Sequence, residues 1–89
     1  MKKVYKLRDH TSAQCKVVVN NEASTIDFIS YVTRVISVRF NEAGQRMIEC
    51  TGTYSPTTRK QIGWFVREYL PGLSYQHMKA IAGQGFVVM

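Results

Sequence analysis

The sequence predicts an α+β domain, an antiparallel sheet of about three to four strands with a C-terminal helical pair packed on one face. Three observations lead there. The first half is dense in Val, Ile, Thr, Phe and Tyr and alternates apolar with polar residues in several stretches. The second half changes to a helical period of about 3.6 between a Ser-Pro start and a Pro-Gly stop. Strands precede helices along the chain, whereas a parallel sheet would interleave them. At 89 residues the chain supports one domain and one modest core. Within it, residues 1–12 are expected to be loose, 14–53 to form strands, 55–83 two helices, and 86–89 a short strand or tail.

Cys15, Val17 and Val19 alternate with Gln14, Lys16 and Val18, so 14–19 read as a strand, and Asn20-Asn21 follows as a turn whose side chains bond locally. Residues 23–31 admit strand or helix. Ser24 followed by Asp27 fits a capped helix start, while Thr25, Ile26, Phe28, Ile29 and Tyr31 favour a pleated surface. Arg34 to Phe40 and Arg46 to Thr53 form a hairpin around Asn41 to Gln45, with Gly44 as the positive-φ residue and Phe40 brought near Arg46. Ser55-Pro56 is an N-cap followed by proline at the first helical position, and Ile62, Phe65, Val66 and Tyr69 make one apolar face. Leu70-Pro71-Gly72 stops that helix. A second helix starts at Ser74, with Leu73 and Met78 spaced for a hydrophobic staple and Met78 and Ile81 facing the core, and ends at Gly83. Phe86-Val87-Val88 is an edge strand or a packed tail.

Twelve Lys and Arg against six Asp and Glu give a net charge of +6, which favours an anionic partner. Hydrophobic residues make up 45% and charged residues 20%, which excludes a disordered tail and a membrane protein. The longest apolar stretch, Phe28 to Phe40, is interrupted by Arg34 and Arg39, and no membrane partner is expected. Met1 to Asp9 supplies no apolar secretory run, so a cytoplasmic location is expected. Cys15 and Cys50 lack metal-ligand spacing and read as buried reduced thiols, so no metal and no cofactor is implied. The two histidines, His10 and His77, and the six carboxylates form no catalytic spacing, and no enzymatic activity is expected. His10 reads as solvated and His77 as a surface residue of the second helix's first turn. Gly83-Gln84-Gly85 follows a helix, the wrong context for a phosphate loop.

The cations are better organised. Lys2, Lys3, Lys6, Arg8 and Lys16 crowd the N-terminal segment, Arg34, Arg39 and Arg46 lie on the hairpin, and Arg59, Lys60 and Arg67 on the first helix, where Lys60 and Arg67 fall nearly on one line. The leading expectation is a non-enzymatic protein that binds nucleic acid or a nucleoprotein through those hairpin and helix cations. A helix-turn-helix is disfavoured, because the second helix offers only Gln76 and Lys79 as base readers. The alternative is a protein-binding inhibitor or modulator of a host factor, docking through Tyr31, Tyr54 and Trp64. A small structural homodimer formed through sheet edges and Phe86 to Met89 is the third reading.

Two stretches carry a resemblance: Ser30-Tyr31-Val32-Thr33-Arg34-Val35, and Tyr54-Ser55-Pro56-Thr57-Thr58-Arg59-Lys60-Gln61-Ile62 running on to Phe65 and Glu68. Together they resemble small uncharacterised proteins of phages, prophages and plasmids of Gram-positive bacteria, which carry an SYxTxV strand and a YSxTTxxxI helix start. The resemblance spans roughly residues 30–70, with Val32 where such proteins often have a small polar residue. It implies a mobile-element accessory protein and assigns no catalytic residue.

Overall fold

Backbone pairing builds an antiparallel meander whose order in space is its order in the chain: β1 (Lys2–Tyr5), β2 (Cys15–Asn20), β3 (Thr25–Ser30), β4 (Thr33–Phe40), β5 (Arg46–Cys50) and β6 (Val87–Val88). Helices α1 (Pro56–Tyr69) and α2 (Tyr75–Ile81) are inserted between the last two strands. This computed structural model describes residues 2–10, 13–52 and 55–89. The α+β class and the helical pair agree with the sequence, but the sheet has six strands where about three to four are expected. The difference lies at the edges. Strand β1 is Lys-Lys-Val-Tyr, exposed throughout, and has no apolar face to betray it; it is defined by pairing with β2, from Lys2 opposite Asn20 to Tyr5 opposite Val17. Strand β6 is two residues long and pairs Val87 with Ile48 and Val88 with Met47.

Register decides which side chains meet the helices. Val17, Phe28 and Ile36 lie opposite one another on adjacent strands, as do Val19, Ile26, Val38 and Ile48, so one face of the sheet is apolar. Phe65 of α1 stacks on Phe28 at 4.8 Å between ring centroids, which puts the helices on that face. Residues 25–30 are strand, resolving the ambiguity of 23–31. A register shift at Phe28/Ile29 leaves Val35 without a partner on β3, and Val35 and Ile36 are buried as consecutive residues. That bulge explains why the apolar residues here are too dense for clean alternation.

Helix α1 starts where its capping chemistry dictates. The Ser55 hydroxyl accepts the Thr58 N–H at 3.4 Å, Pro56 opens the first turn, and Thr58, Gln61, Ile62, Phe65 and Val66 are buried. Beneath its first turns, Ser30 donates to the buried Gln61 side-chain oxygen, and the Ser30 and Thr58 hydroxyls lie 3.3 Å apart. The β4–β5 hairpin closes as expected over residues 41–45, with Phe40 opposite Arg46 and Gly44 at φ +80°.

Of residues 1–12, expected to be loose, the described residues 2–10 are paired and packed. Beyond β1 the chain crosses towards α1: Leu7 is 1% exposed, and the Arg8 N–H donates to a Glu68 carboxylate oxygen at 2.8 Å. Burying one Leu side chain is worth about 1.5–3 kcal/mol, which adds to the pairing of β1 with β2 in holding this segment. A single leucine among charged neighbours has no periodicity, which is why the sequence pattern does not reveal it.

Candidate nucleic-acid interface

With one side of α1 committed to the core, its other side is fixed by helical geometry. Lys60, Trp64 and Arg67 follow one another at i, i+4 and i+7, and this spacing draws them into one solvent-facing stripe. Lys60 and Arg67 are exposed and Trp64 is half-buried. The Trp64 indole is covered by His10, whose imidazole stacks on it at 3.6 Å with 9° between planes. Arg8, Asp9, His10, Trp64, Arg67 and Glu68 line a hollow of about 200 Å³. A second hollow, of about 460 Å³, lies beside α1 between Gly63, Val66 and Arg67 and the turn from Pro71 to Tyr75. Arg67 lines both.

Cations lie on both sides of the sheet, Lys2 and Lys16 among those turned away from the helices, so their partners and not the charge balance tell the sides apart. The helical side carries Arg8, Arg59, Lys60, Arg67 and Lys79 against the carboxylates Asp9 and Glu68, and Glu68 is held by the Arg8 backbone N–H. Period-two alternation turns Arg39, and the bulge at Val35 turns Arg34, to the face of the sheet away from the helices, where Arg34 pairs with Glu49 at 3.7 Å and Arg39 lies over the Phe86 ring at 5.3 Å. Asp27 shares that face and accepts the Ser37 hydroxyl at 2.6 Å. Arg46 is engaged elsewhere, its Nε donating to the Met89 carbonyl at 2.9 Å. The six cations singled out by sequence are therefore not one surface: Arg59, Lys60 and Arg67 are together, Arg34 and Arg39 lie behind the sheet, and Arg46 anchors the C-terminus.

The three aromatic candidates also separate. Trp64 packs against the N-terminal segment. Tyr31 sits at the tip of the β3–β4 hairpin, 57% exposed, beside Val32 at 95%. Tyr54 lies outside the described residues. His10 and Gly63 were missed as site residues: His10 reads as solvated because nothing local ties it to Trp64, and Gly63 is visible only as a helix-weakening residue inside an otherwise good helix. His77 has a role the sequence hides, its Nδ1 accepting the Ser74 N–H at 3.0 Å to close the start of α2.

No protein-family model matches the chain, and neither does any curated protein or any solved structure. Burial pushes the Cys15 and Cys50 thiols up, so both are protonated at neutral pH and poor nucleophiles. Tyr69, stacked on Phe65 at 5.1 Å, is likewise held above the usual phenol range by burial and by the neighbouring Glu68 carboxylate. Among the described residues no group of three or more His, Cys, Asp or Glu side chains is placed to hold a metal ion. Among the described residues no helix is long and apolar enough to cross a membrane.

Proposed function

We propose that this is a non-enzymatic nucleic-acid-binding protein, an accessory protein of phage or mobile-element type, and that it binds through the outer side of α1. The observation that carries the reading is the Lys60–Trp64–Arg67 stripe, with Arg59 and Arg8 beside it. Cations at helical spacing neutralise successive phosphates, and a ring among them offers contact to a sugar or base. On the open sheet face Arg34 is paired with Glu49 and Arg39 is laid over the Phe86 ring, so these two cations fit this role less well. The mobile-element assignment rests on the resemblance of residues 30–35 and 54–62. In fluorescence anisotropy with labelled oligonucleotides, the protein should bind at low salt and release steeply as salt rises, and Lys60→Glu/Arg67→Glu should abolish binding. Undetectable binding at the lowest salt would refute the reading.

A second reading, docking to a host protein, is favoured by one feature. Tyr31 adopts φ +56°, a left-handed conformation unfavourable for a bulky residue, and displays its ring next to the fully solvated Val32. If that tip is the docking element, Tyr31→Ser/Val32→Ser should lose a discrete protein retained by the wild type from nuclease-treated lysate.

A further inference from the structure

We infer that the ligand of this surface is single-stranded nucleic acid, with one unpaired base stacked on Trp64 in place of the His10 imidazole, a phosphate on Arg67, and the next base lodged in the hollow beside Gly63 and Tyr75. The inference rests on the nucleic-acid reading above and specifies its substrate.

Three observations converge. The first is the stack itself. In the free protein a planar heteroaromatic ring already lies parallel on the indole at 3.6 Å, the arrangement a nucleobase adopts on an aromatic platform. His10 is carried by a segment secured at Leu7, three residues earlier, and its own ring has only the one face of Trp64 as an aromatic partner. It can leave without dismantling the core. Around the vacated face stand Arg8 and Arg67, which attract phosphate, and Asp9 and Glu68, whose oxygens can accept a base N–H such as thymine N3–H.

The second is the position of Arg67. It separates two hollows, each with an aromatic residue in its wall, Trp64 in one and Tyr75 in the other. Successive bases of a single strand flank a phosphate in the same order. A duplex, whose bases are already paired and stacked, uses neither hollow.

The third is Gly63. A glycine in mid-helix weakens the helix, and close packing is the usual reason to tolerate it. Here a Cβ would meet nothing within 4 Å, so nothing inside the protein requires the glycine. Its bare backbone lies in the second hollow, between Lys60 and Arg67 on the exposed side of α1. The missing side chain is explained by something that approaches from outside.

The experiment compares a fluorescein-labelled oligo(dT) with a hairpin duplex of the same phosphate count, using anisotropy for affinity and the fluorescence of Trp64, the only tryptophan, for stacking. The single strand should bind more tightly and quench Trp64, and the ring-current-shifted His10 Hε1 resonance should move towards its solvent position on binding. His10→Ala removes the competing ring and should tighten single-strand binding by about 2- to 10-fold. Trp64→Leu should weaken it by about 5- to 100-fold while leaving duplex binding unchanged. Gly63→Gln adds a good helix former that fills the second hollow; it should raise the melting temperature and yet weaken single-strand binding, a combination a purely structural glycine cannot give. Equal affinity for both probes, with none of the three substitutions changing it, would overturn the stacking inference and leave phosphate binding standing. Failure to bind either probe would overturn both.

Discussion

Ser30→Ala is the sharpest test of how the helices are held to the sheet. In the native domain Ser30 donates to the side-chain oxygen of Gln61, a residue 2% exposed, and lies 3.3 Å from the Thr58 hydroxyl. Alanine removes one hydroxyl and little volume, so the loss is electrostatic. Thr58 keeps a partner in the Ser55 hydroxyl at 3.4 Å, whereas the Gln61 oxygen is left buried without this donor. An unsatisfied buried acceptor costs about 1–3 kcal/mol. Taking ~2 kcal/mol, the melting temperature of a domain this size should fall by about 8–16 °C. Urea unfolding followed by circular dichroism and by Trp64 fluorescence would measure it, with coincident transitions licensing a two-state treatment. Gln61→Leu removes the stranded acceptor, so Ser30→Ala/Gln61→Leu should cost less than the sum of the single changes, with a coupling of about 1–2 kcal/mol. A Ser30→Ala cost below ~0.5 kcal/mol, or strict additivity in the double mutant, would refute the reasoning.

Three further outcomes follow from particular residues. Leu7→Ala should destabilise the domain by about 2–4 kcal/mol, measured by urea unfolding, whereas a loose N-terminus would tolerate it. Tyr31→Gly should stabilise by about 1 kcal/mol in the same assay, because glycine adopts the left-handed conformation of that turn without strain. The Cys15 and Cys50 thiols should react with a thiol reagent at mildly alkaline pH far more slowly in the folded than in the urea-unfolded protein. Their folded pKa values lie above the unfolded ones, so the unfolded state loses protons first as pH rises; the associated stability is complete below about pH 8.5 and declines above it. A stability that stays flat or rises through that range would contradict the burial of the thiols.

Local chemistry was the legible part of this protein. The Ser55-Pro56 cap, the apolar spacing of α1 and the hairpin around Asn41 to Gln45 are each specified by neighbouring residues, and each is found where expected. The edge strand Lys2–Tyr5, the packing of Leu7 and the stack of His10 on Trp64 depend on distant partners, and no short-range pattern announces them. The same distinction governs the site. Lys60 and Arg67 share a helix, so 100° per residue places them together. The hairpin arginines could be joined to them only by knowing which face of the sheet the helices cover. Period-two alternation already set Arg39 opposite to Ile36 and Val38, and once the helices pack on Phe28, Arg39 is on the far side. The two stretches that carry the resemblance meet in space as well, at Ser30, Thr58 and Gln61, where they hold α1 on the sheet.

The central claim is that the outer side of α1, and not the open face of the sheet, engages phosphates. It is tested most directly by the salt dependence of oligo(dT) binding in the wild type, in Lys60→Ala/Arg67→Ala and in Arg34→Ala/Arg39→Ala. With Arg8, Arg59, Lys60 and Arg67 each neutralising one phosphate of a single strand, log K against log salt should have a slope of about −2 to −3. Removing Lys60 and Arg67 should reduce its magnitude by about 1.4, and removing Arg34 and Arg39 should leave it unchanged. A slope unaltered by the helix substitutions, or one that falls with the sheet substitutions instead, would contradict the account.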